Sequence, residues 1–136
     1  TTHMFEFPTI IAGSLTSRGA QEGTGSSSRF SQPWAGIFVK NRDYEKNPRP
    51  DGELYDFYFC DRGNHCVWKI TPDGVASIVV GRSNYTADNH YWGYVDGDPL
   101  KEARLDLPCG LAYDEDEEIW YIGDNGNHGV RYVAVE

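Results

Sequence analysis

The chain has 136 residues, and its 12 Lys and Arg residues stand against 21 Asp and Glu, a formal net charge of −9. A chain this acidic lacks the basic surface that binding to a nucleic-acid backbone or an anionic membrane requires, so we expect no nucleic-acid partner. No apolar run reaches the roughly 18 residues that span a bilayer, and we expect no membrane insertion. The length fits one average domain.

Short β-rich runs carry most of the apolar residues, and no run longer than a turn or two has a helical period. Each run is bounded by Gly, Pro, Asn or Asp, which is typical of strands joined by tight turns. The predicted strands are 9–11, 36–39, 56–60, 67–70, 76–80, 110–113, 119–122 and 130–133. The sequence therefore predicts an all-β protein.

An internal repeat is the strongest feature of the sequence. The run D-R-G-N-H-C-V at 61–67 returns as D-N-G-N-H-G-V at 124–130, and R-F-S-Q-P at 29–33 returns as R-L-D-L-P at 104–108. Two further pairs, an acidic residue followed by Gly and an apolar residue followed by Gly, keep the same order. Each copy predicts four antiparallel strands, and four strands in roughly 40–45 residues are typical of a β-propeller blade.

These repeats resemble those of NHL-repeat proteins, whose blades carry P-x-G-I/L-A followed by D-x-x-N-H. The match includes P-C-G-L-A at 108–112, both D-x-G-N-H runs and G-Y-V-D-G at 93–97. The first copy departs from the pattern with one extra residue after Pro33, and Gly129 stands where the family usually has Arg. More narrowly, the chain resembles the C-terminal part of bacterial extracytoplasmic proteins in which an IPT/TIG domain precedes the NHL repeats.

The resemblance implies about two four-stranded antiparallel blades that belong to a six-bladed ring. Residues 1–14 would be the closing strand of a preceding blade, 33–81 one full blade, and 108–136 three strands of the last blade. Two blades alone expose two apolar faces, so we expect as partners the remaining blades of a longer chain or copies of this one. The resemblance also implies an extracytoplasmic location at the cell surface or in the periplasm.

The polar residues of the repeat allow two interpretations. An Asp four residues before a His suggests a metal site, whereas the resemblance implies that the Asp accepts backbone N–H groups and the Asn holds the turn. Recurrence in both copies favours the structural interpretation, so we predict no metal and no cofactor. We expect each repeat Arg to pair with acidic residues between blades, with binding of an anionic substrate as the alternative. The residues are Asp61, Asn64, His65, Asp124, Asn127, His128, Arg29 and Arg104.

Three other groups of residues are candidates for chemistry. The acidic run at 114–118 is expected to form a loop that faces solvent, and the alternative is that it binds Ca²⁺. Cys60 and Cys66 form a disulfide or pack as apolar core residues. An aromatic insertion that is rich in amides suggests a sugar-binding loop, with packing against the adjacent blade as the alternative. Its aromatic residues are Tyr85, Tyr91, Trp92 and Tyr94.

No G-x-S-x-G nucleophile motif and no phosphate-binding glycine loop occurs in the sequence, and we predict no catalytic residue. We expect a non-catalytic binding or scaffold module whose ligand is a carbohydrate or a protein. The alternative is part of a metal-dependent propeller hydrolase or lyase.

Overall fold

The structure is a computed structural model that describes residues 7–50, 52–81, 99 and 103–134. Within these ranges the regular structure consists of strands and three short 3-10 turns, which confirms the all-β prediction. None of the described residues forms a helix long and apolar enough to cross a membrane. The strands are β1 (Gly23–Thr24), β2 (Pro33–Lys40), β3 (Tyr55–Asp61), β4 (Cys66–Ile70), β5 (Val75–Gly81), β6 (Pro108–Asp114), β7 (Ile119–Asp124) and β8 (Gly129–Ala134).

The strands form two antiparallel sheets that follow the two sequence copies. The first sheet has the order β1-β5-β4-β3-β2, and the second has the order β6-β7-β8. In both sheets the register shifts just after the first proline, between Pro33 and Gly36 and between Pro108 and Gly110. The extra residue of the first copy therefore lies at an irregularity that both sheets share.

One predicted strand does not form. Residues 9–11, assigned above to the closing strand of a preceding blade, are outside every described strand. The edge of β5 pairs with β1, where Gly23 lies opposite Ala76. Gly13 has a φ of +98° and donates its N–H to the Gly25 carbonyl, so the chain turns here instead of extending along the sheet.

Two separate hydrophobic clusters stabilise the sheets. One lies on the first sheet around Phe59 and Trp68, and is covered by the preceding segment through Phe30. The other lies between the two sheets, where Cys60 and Val67 of the first sheet share a cluster with Ile122 of the second. The second cluster fixes how the two sheets pack, because its members are almost entirely buried.

The cysteines take part in these clusters as reduced residues. Cys60 and Cys66 lie on adjacent strands, but Cys60 pairs in register with Val67, and their side chains belong to different clusters on opposite faces. All three cysteines are free, so the disulfide alternative is wrong. Burial raises the pKa of the Cys60 thiol to about 12, with smaller contributions from Cys109 and Asp124.

The far side of the second sheet carries an exposed apolar row. Tyr121 of β7 lies in register with Tyr132 of β8 and, on its other side, with Ala112 of β6. Tyr132 is 71% exposed and Val130 is 73% exposed. No described element covers this face.

Candidate functional site

The first repeat carboxylate, Asp61, is completely buried and accepts four hydrogen bonds. Its two oxygens accept the backbone N–H groups of Ser31 (3.1 Å) and Gln32 (2.8 Å), the Asn64 Nδ2 amide (2.7 Å) and the Trp68 indole Nε1 (3.1 Å). A buried carboxylate is stable only when its lone pairs are used in this way. Asp61 thus ties the turn between β3 and β4 to the segment that leads into β2.

The second repeat carboxylate, Asp124, is buried in the same position of the second sheet. It accepts the backbone N–H of Asp106 (2.7 Å), the Asn127 Nδ2 amide (2.8 Å) and the guanidinium Nη1 of Arg131 (2.7 Å). The same Arg131 nitrogen also donates to the Arg104 carbonyl at 2.8 Å. The indole in one copy and the guanidinium in the other come from the residue seven positions after the Asp.

The two repeat histidines have the same backbone but different surroundings. Both adopt the left-handed conformation that ends the 3-10 turn, with φ of +55° at His65 and +57° at His128. His65 Nδ1 accepts the backbone N–H of Leu107 at 2.9 Å and lies 3.6 Å from an Asp106 oxygen. Burial lowers the pKa of His65, although the Asp106 carboxylate acts in the opposite direction.

A neutral imidazole fits the His65 geometry better than an ion pair with Asp106, because a protonated Nδ1 could not accept the Leu107 N–H. His65 therefore connects the turn of the first sheet to the segment entering the second. His128, the equivalent residue of the second copy, is exposed to solvent.

The metal and calcium interpretations find no geometry that supports them in the described ranges. Among the described residues, no group of three or more His, Cys, Asp or Glu side chains is placed to hold a metal ion. In the acidic run, Asp114 Oδ1 accepts the backbone N–H groups of Asp116 and Glu117, and Glu118 pairs with Arg42 at 2.8 Å. These carboxylates hold the β6–β7 turn and its contact with the first sheet.

The remaining sequence candidates divide between described and undescribed parts of the chain. The Arg29 guanidinium donates to the backbone carbonyls of Ser26 and Ser28, so its described partners are carbonyl oxygens and not carboxylates. The backbone carbonyl of Arg104 accepts a hydrogen bond from the Arg131 guanidinium. The aromatic insertion, which contains Tyr85, Tyr91, Trp92 and Tyr94, lies outside the described residues.

A cleft of about 630 Å³ opens between the two sheets, and we call it the inter-sheet cleft. Its walls come from the end of β2 and the following loop, from the middle of β3 and β4, and from the β6–β7 hairpin. The side chains that give it chemical character are the cations Lys40, Arg42, Lys46 and Lys69, the carboxylates Asp43, Asp56 and Glu118, and the aromatic residues Tyr58, Tyr113 and Trp120.

Three aromatic rings lie side by side along the inter-sheet cleft. The Trp120 ring is 4.3 Å from the Tyr58 ring and 4.7 Å from the Tyr113 ring, measured between centroids. Burial raises the pKa of Tyr58 to about 12, with smaller contributions from Asp56 and Tyr113. The Tyr58 hydroxyl is therefore protonated at neutral pH and able to donate a hydrogen bond.

The charges of the inter-sheet cleft do not cancel. Asp56 is neutralised by Arg49 at 2.5 Å, and Glu118 by Arg42 at 2.8 Å. The lining of the cleft contains four cations and three carboxylates. Among the described contacts, none links the ammonium groups of Lys40, Lys46 or Lys69 to a carboxylate. The cleft therefore has a surplus of positive charge in a chain whose net charge is −9.

Sequence reasoning identified the repeat carboxylates but not their third side-chain donors or the inter-sheet cleft. Trp68 and Arg131 could have been identified from the sequence, since each lies seven residues after the repeated Asp. No sequence pattern indicated Tyr58, Lys69 or Trp120 as site residues, because they come from two sheets and meet only when the sheets pack.

Comparison with known proteins gives similarity to solved structures only. No protein-family model matches the chain, and no curated protein matches it. A Bacteroides thetaiotaomicron protein that is provisionally named a phosphatase is 39% identical with a TM-score of 0.83, over 95% of this chain and 27% of that one.

Two further solved structures are named as auxiliary nutrient binding proteins. The one from Bacteroides ovatus is 40% identical with a TM-score of 0.80, over 93% of this chain and 28% of that one. The one from Bacteroides thetaiotaomicron is 38% identical with a TM-score of 0.79, over 92% of this chain and 28% of that one. The chain thus shares its fold with these proteins and spans less than a third of their length.

Proposed function

We propose that this chain is a non-catalytic ligand-binding module of a larger extracytoplasmic assembly. Two of the similar structures are named for nutrient binding, which supports a binding role. The repeat carboxylates support a structural role for these two residues, because every hydrogen bond described for them comes from the surrounding chain. We assign to Asp61 and Asp124 the role of scaffold residues.

The architecture that we propose is two blades of an NHL-type β-propeller. In this proposal β2 to β5, within residues 33–81, are one blade, and β6 to β8, within 108–136, are three strands of the last. The two sheets pack face to face through a shared apolar cluster, as neighbouring blades do. The exposed row of Tyr121 and Tyr132 would then contact a further blade, from a longer chain or from a copy of this one.

One observation carries the binding proposal: the described residues line an open cleft of about 630 Å³ that combines three aromatic rings with several polar side chains. Sites for small molecules occupy roughly 300–1,000 Å³ and combine apolar walls with a few polar groups. A carbohydrate is the ligand class that we propose, because tyrosine hydroxyls and lysine ammonium groups donate to sugar oxygens. The aromatic insertion with Tyr85, Tyr91, Trp92 and Tyr94 is the second proposed contact surface.

The test is calorimetric titration of the protein with a panel of oligosaccharides, with Trp fluorescence as a second readout. We expect saturable binding of at least one sugar, weakened by Trp120→Ala if the inter-sheet cleft is used and by Trp92→Ala if the insertion is used. Thermal unfolding of both variants is the control for folding. Hydrolysis of p-nitrophenyl phosphate by the purified protein, or the absence of any sugar binding, would contradict the proposal.

A further inference from the structure

We propose that the inter-sheet cleft selects an anionic carbohydrate, a sugar bearing a carboxylate or sulfate group that Lys40 and Lys69 bind. This inference rests on the proposed binding function and deepens it, because it names the ligand class and the residues that choose it. It starts from the surplus of cations in the cleft.

The two lysines lie on the strands on either side of the one that carries Tyr58. Lys69 on β4 lies directly opposite Tyr58 on β3, so an ammonium group and a hydroxyl donor are cross-strand neighbours. Lys40, the last residue of β2, lies opposite Tyr55 on β3 and lines the same cleft. Three strands of different sequence position thus bring two cations and a phenol to one space.

The carboxylates of the cleft are already neutralised by other residues. The Asp56 side chain is buried beneath Arg49, and Glu118 is held by Arg42. The one carboxylate without a described ion pair is Asp43, in the loop that follows β2. Lys40 and Lys69 therefore keep ammonium groups available for an anion that enters from solvent.

The remaining character of the cleft indicates a sugar and not a bare anion. The rings of Tyr58, Trp120 and Tyr113 line one wall of the cleft, with Trp120 tilted by 46° and 40° to its two neighbours, and a bare anion would make no use of this apolar surface. A pyranose ring lies against such a wall while its hydroxyls accept from Tyr58 and its acidic group lies at the lysines. The volume also exceeds what a single sulfate or phosphate ion fills.

The experiment compares charged and neutral probes by calorimetry on the full chain. The probes are trigalacturonate, a heparin-derived tetrasaccharide, neutral galactotetraose and inorganic sulfate. We expect at least one acidic sugar to bind tenfold or more tightly than the neutral one, with affinity falling as salt is raised, because ions screen exposed charges beyond about 8 Å at physiological ionic strength. Trigalacturonate and the heparin fragment distinguish a carboxylate from a sulfate group.

Matched variants locate the effect. Lys40→Met combined with Lys69→Met should lower acidic-sugar affinity at least tenfold and neutral-sugar affinity by a much smaller factor, because only the acidic group needs the positive charge. The control is Arg18→Met, which removes one positive charge from an exposed residue away from the inter-sheet cleft and should change affinity less than twofold. Equal unfolding temperatures for the three proteins would show that the fold is intact.

Three results would overturn the inference in distinguishable ways. Equal affinity for acidic and neutral sugars would refute charge selection and leave the proposed function standing. Competition by inorganic sulfate at the same concentration as the acidic sugar would refute a sugar ligand in this cleft. Absence of binding by every sugar would refute the inference together with the proposed function.

Discussion

Replacing Arg131 with Met removes the only charged partner that the structure describes for the buried Asp124 carboxylate. The side chains of Arg131 and Asp124 are 9% and 0% exposed, so solvent cannot take over the lost contact. Asp124 keeps the Asp106 N–H and the Asn127 amide, at 2.7 and 2.8 Å. The substitution therefore leaves a buried carboxylate with two neutral donors and, among the described residues, no cation paired with it.

The magnitude follows from these contacts. Removing one partner of a buried ion pair costs about 3–5 kcal/mol, and the two surviving donors place Asp124 near the lower end of that range. The Arg104 carbonyl also loses its 2.8 Å donor, which adds about 1 kcal/mol. We expect Arg131→Met to lower the free energy of unfolding by about 4 kcal/mol.

The assay is urea unfolding followed by Trp fluorescence, with two comparison variants. Arg131→Lys keeps the charge but places it farther from Asp124 because the Lys side chain is shorter, and this variant should lose about half as much. Trp68→Phe removes the equivalent neutral donor from Asp61, which retains three others, and should lose about 1 kcal/mol through that hydrogen bond. A loss below about 1 kcal/mol for Arg131→Met would refute the idea that this ion pair holds the second sheet.

Three further predictions concern packing, pH and reactivity. Gly126→Ala should lower the free energy of unfolding by about 1–3 kcal/mol in the same urea assay, because its Cβ would lie 2.4 Å from Asp106 Cγ. Gly123→Ala should lower it less, because no atom lies nearer than 3.4 Å to its Cβ. Equal losses for the two variants would contradict this. The pKa of His65 in the folded protein is below its usual 6.5, so the unfolded chain binds the proton more tightly. The free energy of unfolding should therefore fall as the pH drops below 6.5. A His65→Asn variant should show a smaller fall. Cys60, with its pKa raised to about 12, should resist iodoacetamide at neutral pH until the protein is unfolded, as mass spectrometry would show.

Local sequence patterns predicted much of the fold. Seven of the eight predicted strands form within the described residues, because alternating β-branched and aromatic residues between Gly, Pro, Asn and Asp favour strands regardless of their neighbours. The predicted strand at 9–11 did not form. Its apolar residues are suitable for a strand, but none of the described strands belongs to the preceding blade that it was expected to close.

The sequence by itself determined the all-β class, the two copies of the repeat and the turn that each repeated Asp and Asn close. Those features depend on contacts within a few residues, as in the Asn64–Asp61 hydrogen bond across three positions. Only the tertiary structure decided which distant groups surround each side chain. Asp61 binds backbone 29 and 30 residues away, and His65 binds backbone 42 residues away.

The inter-sheet cleft depends on tertiary structure even more strongly. Tyr58 and Trp120 belong to different copies of the repeat, and their rings approach to 4.3 Å only because apolar side chains bury the facing surfaces of two sheets. Local propensity specifies each strand separately, whereas burial of a shared core specifies their relative placement. The sequence could therefore locate the residues that hold each turn, while the residues that we propose bind a ligand emerged only once the sheets were packed.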